Sequence, residues 1–410
     1  MRIKSLSEKQ RQIMDFVDSE DMALICDGSV RSGKTTIMTM AFVLWAMKNY
    51  NHTNFAICGK TVQAAERNIL KPLMEIDGLG AALAMSYKVS TRVLTVRCGD
   101  TTNWFYLFGG KDESSYMLIQ GITLAGVLFD EVALMPRSFV EQALSRAISF
   151  ERPKYFFNCN PESPNHWFYQ EWIKNQRENT EHIHFLLEDN PILTPQMIER
   201  TKAIYSGVFY DRYIRGLWVV AEGLIYPMFN ENCIADDLPG KGEYYISCDY
   251  GTLNPFSAGL WCWDGKTATR IQEYYYSGRE TQANKTDEEY FAEVEKLRGD
   301  LRIKSVIVDP SAASFIEVLR RHKYPVQKAK NDVLPGILTT ARLLQDGVIK
   351  IGRECKDCIR EFGLYRWDEK STEDRPIKEN DHAMDDTRYF AYTVLRHKAY
   401  RSEYKSILSG

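Results

Sequence analysis

Residues 28–36, "GSVRSGKTT", constrain the fold more than any other stretch of the chain. Gly28 to Thr35 satisfy G-x-x-x-x-G-K-[ST]. An apolar run, "MALICDG" (22–28), precedes the loop, and an apolar helix pattern begins near Lys34. Strand, glycine loop and helix in that order form a phosphate cradle. The glycines let the backbone N–H groups of Gly28, Ser29, Val30, Arg31, Ser32 and Gly33 turn toward phosphate oxygens. Lys34 is then expected to reach the β- and γ-phosphates of a nucleotide, and the Thr35 hydroxyl to ligate Mg²⁺, with Thr36 beside it. Arg31 is a cation inside the loop. It reads either as an arginine finger in cis or as a solvent-facing loop residue.

A nucleotide hydrolase also needs a second metal-holding carboxylate and a group that orients water. "VLFDEV" (127–132) supplies both, with Asp130 ending an apolar strand and Glu131 next to it. Asp130 is expected to hold Mg²⁺ and Glu131 to polarise the attacking water. The adjacent pair favours ATP hydrolysis coupled to mechanical work. A further strand, within "KYFFNCNP" (154–161), ends in Asn158 and Asn160, which read as γ-phosphate sensors or as strand-end turn residues.

The 410 residues exceed one ordinary core, so two domains are expected. Strand-like runs at 54–60, 103–110, 126–132 and 154–161 alternate with helix-like segments at 62–75 and 137–148, which predicts an α/β domain with a mainly parallel sheet. Gly, Pro, Asn and Asp accumulate over 223–243. The expected division is therefore 1–222, a linker at 223–242, and 243–410. After it, strands are expected at 244–251, 256–265, 268–278 and 304–311, with helices near 286–298, 312–323, 335–346 and 382–398. Three antiparallel-looking strands followed by a parallel one predict a second α/β domain with a mixed sheet.

That second half holds its own carboxylates. Asp249 and Asp309 each directly follow an apolar strand, where a rigid scaffold gathers active-site groups. "ENDHAMDDTRYF" (379–390) puts His382 and Asp385 at i and i+3 of a helix, with Asp386 at i+4. Three carboxylates from two strands and a helix can bind two divalent ions and cleave a phosphodiester.

Composition excludes other classes. With 44% hydrophobic and 26% charged residues the chain reads as globular, and no run of 18 uncharged apolar residues predicts a membrane span. The start, "MRIKSLSEKQ", lacks a signal peptide's apolar core. A net charge of −3 means that a nucleic-acid partner would need local basic patches. Arg320-Arg321 and Lys328–Lys330 are candidates that read equally well as solvated faces. Nine scattered cysteines fit reduced thiols in a cytoplasm; Cys355 and Cys358 form the one CxxC, with no second pair to complete a zinc site.

Taken in order, "LSEKQ", "GSVRSGKT", "VLFDEV", "NCNPESPNHWF", "RYIRGLWVVAEGLIYPMF", "SCDYG", "VDPS" and "HAMDDTRY" resemble the large terminase subunit of tailed bacteriophages over nearly the whole chain. The resemblance implies an N-terminal ASCE-type P-loop ATPase and a C-terminal RNase H-like nuclease. It implies ATP with Mg²⁺ in the first and two Mg²⁺ or Mn²⁺ ions in the second. It implies double-stranded DNA, a procapsid portal protein and a small terminase subunit as partners, a homo-oligomeric ring on the portal or a monomer in solution, and the host bacterial cytoplasm as the location. Gln10 would recognise adenine, with Gln12 as the alternative. The family's C-terminal pattern favours Asp385 over Asp386 as ligand, and its coupling motif falls on Asn158 and Asn160. A repair-type DNA translocase or helicase with a non-cleaving C-terminal domain is the competing reading.

Overall fold

The computed structural model describes residues 5–251, 255–277, 285–369, 371 and 374–399. The chain divides into two compact units, Met1–Val220 and Ala221–Gly410.

The first unit is built on eight strands: β1 Ala23–Gly28, β2 Asn54–Gly59, β3 Ala84–Lys88, β4 Val93–Cys98, β5 Thr101–Gly109, β6 Gly126–Asp130, β7 Lys154–Asn158 and β8 Thr180–Phe185. Their order in the sheet is β3-β4-β5-β2-β6-β7-β1-β8. From β5 to β8 every pairing is parallel, while β3 and β4 add an antiparallel edge. The strands β1, β2, β6 and β7 read as near-continuous apolar runs because both faces are covered. Leu24, Phe55, Ile57, Leu128 and Phe156 bury into one core, and Ile25, Ala56, Val127, Phe129 and Phe157 into the other. The apolar helix Lys34–Asn49 fills the first core with Phe42, Trp45 and their neighbours. The helix expected at 62–75 is present with a π-turn, Glu66–Leu70, between α-helical ends. The hairpin of β3 and β4 and the edge strand β8 went unread in sequence because their burial is one-sided or partial.

The second unit has seven strands: β9 Ile234–Ala235, β10 Glu243–Asp249, β11 Phe256–Trp263, β12 Ala268–Tyr276, β13 Ile303–Val308, β14 Val326–Lys328 and β15 Ile349–Gly352. Their order is β14-β13-β10-β11-β12-β15-β9. β11 runs antiparallel to both of its neighbours, β10 and β12, and β13 runs parallel to β10, which is the expected mixed sheet. Residue 278, the expected end of β12, lies outside the described residues. Helices Asp287–Arg298 and Ala313–Arg321 bury one face of the sheet. On the other, helix His382–Phe390 packs through Phe390, which stacks on Trp261 at 4.7 Å.

The segment 223–242, expected as a linker, belongs to the second unit. Ile225 N–H donates to Tyr365 O, Leu224 bridges to Arg366, and β9 pairs with β15. Its polar, glycine-rich composition reflects turns along that surface rather than a free connection. Among the described residues no helix is long and apolar enough to cross a membrane.

Candidate active sites

In the first unit the site follows from register. β1, β7 and β6 are adjacent and parallel, so Gly28, Asn158 and Asp130 emerge together at the C-terminal ends of the strands. Gly28 has φ +117°, and a Cβ there would sit 2.0 Å from Phe185 O, so only glycine fits. Arg31 (φ 56°) and Gly33 (φ +84°) complete the turn in left-handed geometry. The Lys34 ammonium is folded back on its own loop, donating to Ser29 O at 2.7 Å, Ser32 Oγ at 3.1 Å and Gly28 O at 3.2 Å. Burial pushes its pKa down to about 8, against the opposing pull of Cys159, Asp27, Cys26 and Asp130.

Asn158 joins Thr35 to Asp130. Its Nδ2 donates to Asp130 Oδ1 at 2.6 Å and to Thr35 Oγ1 at 2.8 Å, while Thr35 Oγ1 lies 3.4 Å from the same Asp130 oxygen. Its Oδ1 is buried and has no hydrogen-bond partner. A hydroxyl, a carboxylate and an orphaned amide oxygen within one cluster fit a hard, oxygen-seeking cation such as Mg²⁺. Burial raises the pKa of Asp130, and Asn158, Asn68 and Thr35 counter it. Glu131 (φ 59°) is raised by burial and by Asp130, with Arg67 opposing. Asn160 Oδ1 lies 3.5 Å from the Lys34 ammonium.

Gln10 is buried against the loop, its Nε2 lying 2.6 Å from where a Gly33 Cβ would stand, whereas Gln12 is exposed. The Arg31 side chain is exposed, and its carbonyl accepts from Asn190 Nδ2 at 2.7 Å. Four neighbours escaped the sequence reading: Asp27, Arg67, Asn68 and Asn190. Asp27 had a signal, a lone charge inside an apolar strand. The other three reach the site from a π-turn and a distant loop, which no local pattern announces.

In the second unit the parallel register Cys248↔Val308 brings Asp249 and Asp309 side by side at adjacent strand ends. With His382, Asp385, Asp381 and Tyr389 they line one cavity of about 860 Å³. His382 Nδ1 is 2.8 Å from Asp249 Oδ2. The Tyr389 hydroxyl spans the two strand-end carboxylates, 2.8 Å from Asp309 Oδ2 and 3.4 Å from Asp249 Oδ1. Asp385 Oδ1 accepts from Arg388 Nη2 at 2.9 Å and Nε at 3.3 Å, and the Lys378 ammonium lies 3.8 Å from its Oδ2.

Asp386 has a different fate. It is wholly buried in a two-oxygen ion pair with Arg270 and also accepts from Ser247 and Ser257. Its charge is spent on the core, not on the cavity. Burial pushes Asp249 up to about 6, with Asp385 and Asp386 adding to the rise and His382 opposing it. For His382, burial favours the neutral ring, but Asp249, Asp381 and Glu361 outweigh it and raise the pKa. Asp309 is likewise desolvated, yet Ser311, Tyr389 and Asn331 hold it below the usual range.

Glu361, unread in sequence, is wholly buried and accepts from Tyr275 OH and from Ala383 N–H, both at 2.7 Å. It fixes the first turn of the helix that carries His382 and Asp385, and burial pushes it up to about 7. Carboxylate oxygens at the cavity are the right donors for Mg²⁺ or Mn²⁺. Among the described residues, however, no three His, Cys, Asp or Glu side chains already form a metal cage. Asp385 turns one oxygen to Arg388 instead of closing on the other two. Cys355 and Cys358 are buried free thiols packed by Arg270 O and Thr387, a core role. Arg320, Arg321, Lys328 and Lys330 are all exposed.

Comparison with known proteins gives consistent matches. A family model described as the terminase large subunit, T4likevirus-type, N-terminal, matches residues 25–233. The large terminase subunit of Escherichia phage T5 is 25% identical over 293 residues, which cover 66% of this chain and 66% of that protein. The large terminase of a thermophilic bacteriophage is 45% identical, with 96% of this chain and 100% of that one covered and a TM-score of 0.90. Its complexes with ADP (TM-score 0.87) and ATP-gamma-S (TM-score 0.85) are each 44% identical and cover 95% of this chain and 100% of theirs.

Proposed function

This chain belongs to the terminase large subunits of tailed phages, and we propose that it hydrolyses ATP to drive double-stranded DNA into a procapsid and cuts that DNA with its second unit. One observation carries the reading: the glycine loop with its Asp130–Asn158–Thr35 cluster and the Asp249–Asp309–Asp385–His382 cavity are built into a single chain. The ATP-gamma-S and ADP complexes of the thermophilic phage terminase support nucleotide binding at the first site.

In the first unit, Gln10 contacts adenine and the loop from Gly28 to Thr36 wraps the phosphates. Lys34 exchanges the carbonyls of its own loop for β- and γ-phosphate oxygens, an exchange its buried, desolvated ammonium favours. Thr35 and Asp130, held in line by Asn158, would bind Mg²⁺, which draws charge from the phosphates. Glu131 orients the attacking water and accepts its proton; burial beside Asp130 raises its basicity for that task. Arg31 is exposed, and its guanidinium would meet developing charge on the γ-phosphate.

In the second unit, Asp249, Asp309 and Asp385 would hold two divalent ions, which stabilise the attacking and leaving oxygens of a phosphodiester. Asp385 must first release Arg388, and Tyr389 must give up its hold across Asp249 and Asp309. His382 steadies Asp249 and exchanges a proton with solvent or product. Portal protein and small subunit would be the partners, with the chain working as a ring on the portal in the host cytoplasm.

Plasmid digestion with Mg²⁺ or Mn²⁺ and ATP turnover test both halves. Cleavage that survives Asp249→Ala and Asp309→Ala removes the nuclease site. ATP hydrolysis that survives Lys34→Ala removes the motor site.

A further inference from the structure

Asp27 is a buried carboxylate that none of the steps above uses. It directly precedes the phosphate loop and is 1% exposed. Three N–H donors converge on it from two separate parts of the chain. His182 Nε2 (2.9 Å) and His184 Nδ1 (2.8 Å) share its Oδ1, and Trp218 Nε1 donates to Oδ2 at 2.7 Å. The parallel pairing of β1 with β8 sets Asp27 opposite His184 and Ile25 opposite His182, so both rings lie on one face of the edge strand.

The third donor belongs to a segment that also grips the loop itself. Val30 N–H donates to Tyr213 O at 2.9 Å, and Ser29 Oγ to Ile214 O at 2.5 Å. Gly216 has φ +69°, and a Cβ there would stand 2.7 Å from His184 Cε1 and 3.2 Å from Gly28 Cα. Glycine at 216 therefore lets the segment come into contact with the loop's first residue. Just beyond Trp218 the chain leaves the first unit at Val220. A buried charge is seldom the most stable filling for such a position, since well-packed apolar residues often match or exceed it. Its value lies in fixing one arrangement of the groups around it.

We propose that Asp27 is a positioning residue that locks the segment 213–219 onto the phosphate loop, so that nucleotide at Gly28–Thr35 is felt where the chain leaves the first unit. The carboxylate sits between two anchors: His182 and His184 fix it to the sheet, and Trp218 hangs from its free oxygen. A loop that tightens around phosphates pulls on Tyr213 and Ile214 through its own donors, while Asp27 keeps Trp218 in register with that movement. This inference rests on the nucleotide reading of the loop and adds the route by which occupancy leaves it.

Hydrogen exchange of the full chain with and without ATP-gamma-S tests it. In the unaltered protein the nucleotide is expected to slow amide exchange at least about threefold both in 28–36 and in 212–219. Trp218→Phe keeps an aromatic ring, smaller than the indole, and removes the N–H; Asp27→Asn keeps the shape and removes the charge. Each is expected to retain the protection of 28–36 and lose the response of 212–219. A loss of packing alone would raise exchange in both states and leave the nucleotide-dependent difference intact. An unaltered chain in which 28–36 responds and 212–219 does not overturns the inference alone, as does a full response in both variants. No protection of 28–36 in the unaltered chain overturns the nucleotide reading and this inference with it.

Discussion

Asp385 and Asp386 are consecutive on one helix and meet opposite surroundings: Asp385 lines the cavity beside Asp249, and Asp386 is sealed in an ion pair with Arg270. The two predict different phenotypes. Asp386→Ala leaves the buried Arg270 guanidinium with Glu273, 3.5 Å from its Nη2, in place of its two-oxygen partner, which should cost about 3 kcal/mol of stability. Gly259 strengthens the case, because a Cβ there would lie 2.2 Å from Arg270 Nη1; the ion pair has had space cleared for it. Asp385→Asn keeps an acceptor for Arg388 and should melt within a few degrees of the unaltered chain while losing at least about tenfold in plasmid cleavage. Thermal unfolding and digestion, run on both variants, check the pair. Equal melting losses would contradict the division of roles.

Lys34 carries a pH signature. Its pKa in the nucleotide-free chain is lowered to about 8 by burial, so the ammonium is charged below that pH and increasingly neutral above it. Phosphate oxygens favour the charged form, so binding must take up a proton once the pH passes that value. ATP-gamma-S affinity should be flat up to about pH 7 and then weaken toward about tenfold per pH unit above the transition. Calorimetry in two buffers of different ionisation heat at alkaline pH should detect proton uptake. Equal observed heats in the two buffers, with no loss of affinity, would refute this assignment.

Asn158 should affect turnover more than binding. Its amide is the common partner of Thr35 and Asp130, and on the proposed reading the loop would hold phosphates without it. Asn158→Ala should lower ATP turnover about a hundredfold, the scale of a misplaced catalytic group, with nucleotide affinity altered only a few-fold. Steady-state rates beside ATP-gamma-S titrations separate the two. A loss confined to affinity would mean that Asn158 serves the phosphates and not the metal-side pair.

Why Asn158 stood out in the sequence while Asn68 did not is a matter of where the partners come from. Glycine spacing, an acidic pair after an apolar run and charges at strand ends are local patterns, and each is imposed by backbone geometry that sequence records directly. The strand ends at Asp130, Asn158, Asp249 and Asp309 were legible for that reason. Asp27, Asn190 and Glu361 are defined by what packs over them, and His184, Arg31 and Ala383 lie far away in the chain or on another element. The segment 223–242 shows the converse error: composition rich in Gly and Pro marks turns, and turns occur on the surface of a unit as readily as between two units. Which of Asp385 and Asp386 lines the cavity, and which of Gln10 and Gln12 is buried against the loop, likewise depends on packing that no local pattern records.

Asp249 and His382 make the last prediction. Burial and neighbouring carboxylates hold Asp249 up at about 6, and a protonated carboxyl cannot serve as a metal ligand. Apparent Mn²⁺ affinity should therefore be level above about pH 7 and fall toward about tenfold per pH unit below the transition. The His382 contact lowers the Asp249 pKa, so His382→Gln, which weakens that contact, should move the fall to higher pH. Cleavage alone would mix metal binding with chemistry, so the measurement is Mn²⁺ binding followed by paramagnetic resonance across the pH range. A profile level down to about pH 5 would remove Asp249 from the ligand set. A fall that stays at the same pH in His382→Gln would instead show that the carboxylate's charge is set without the imidazole.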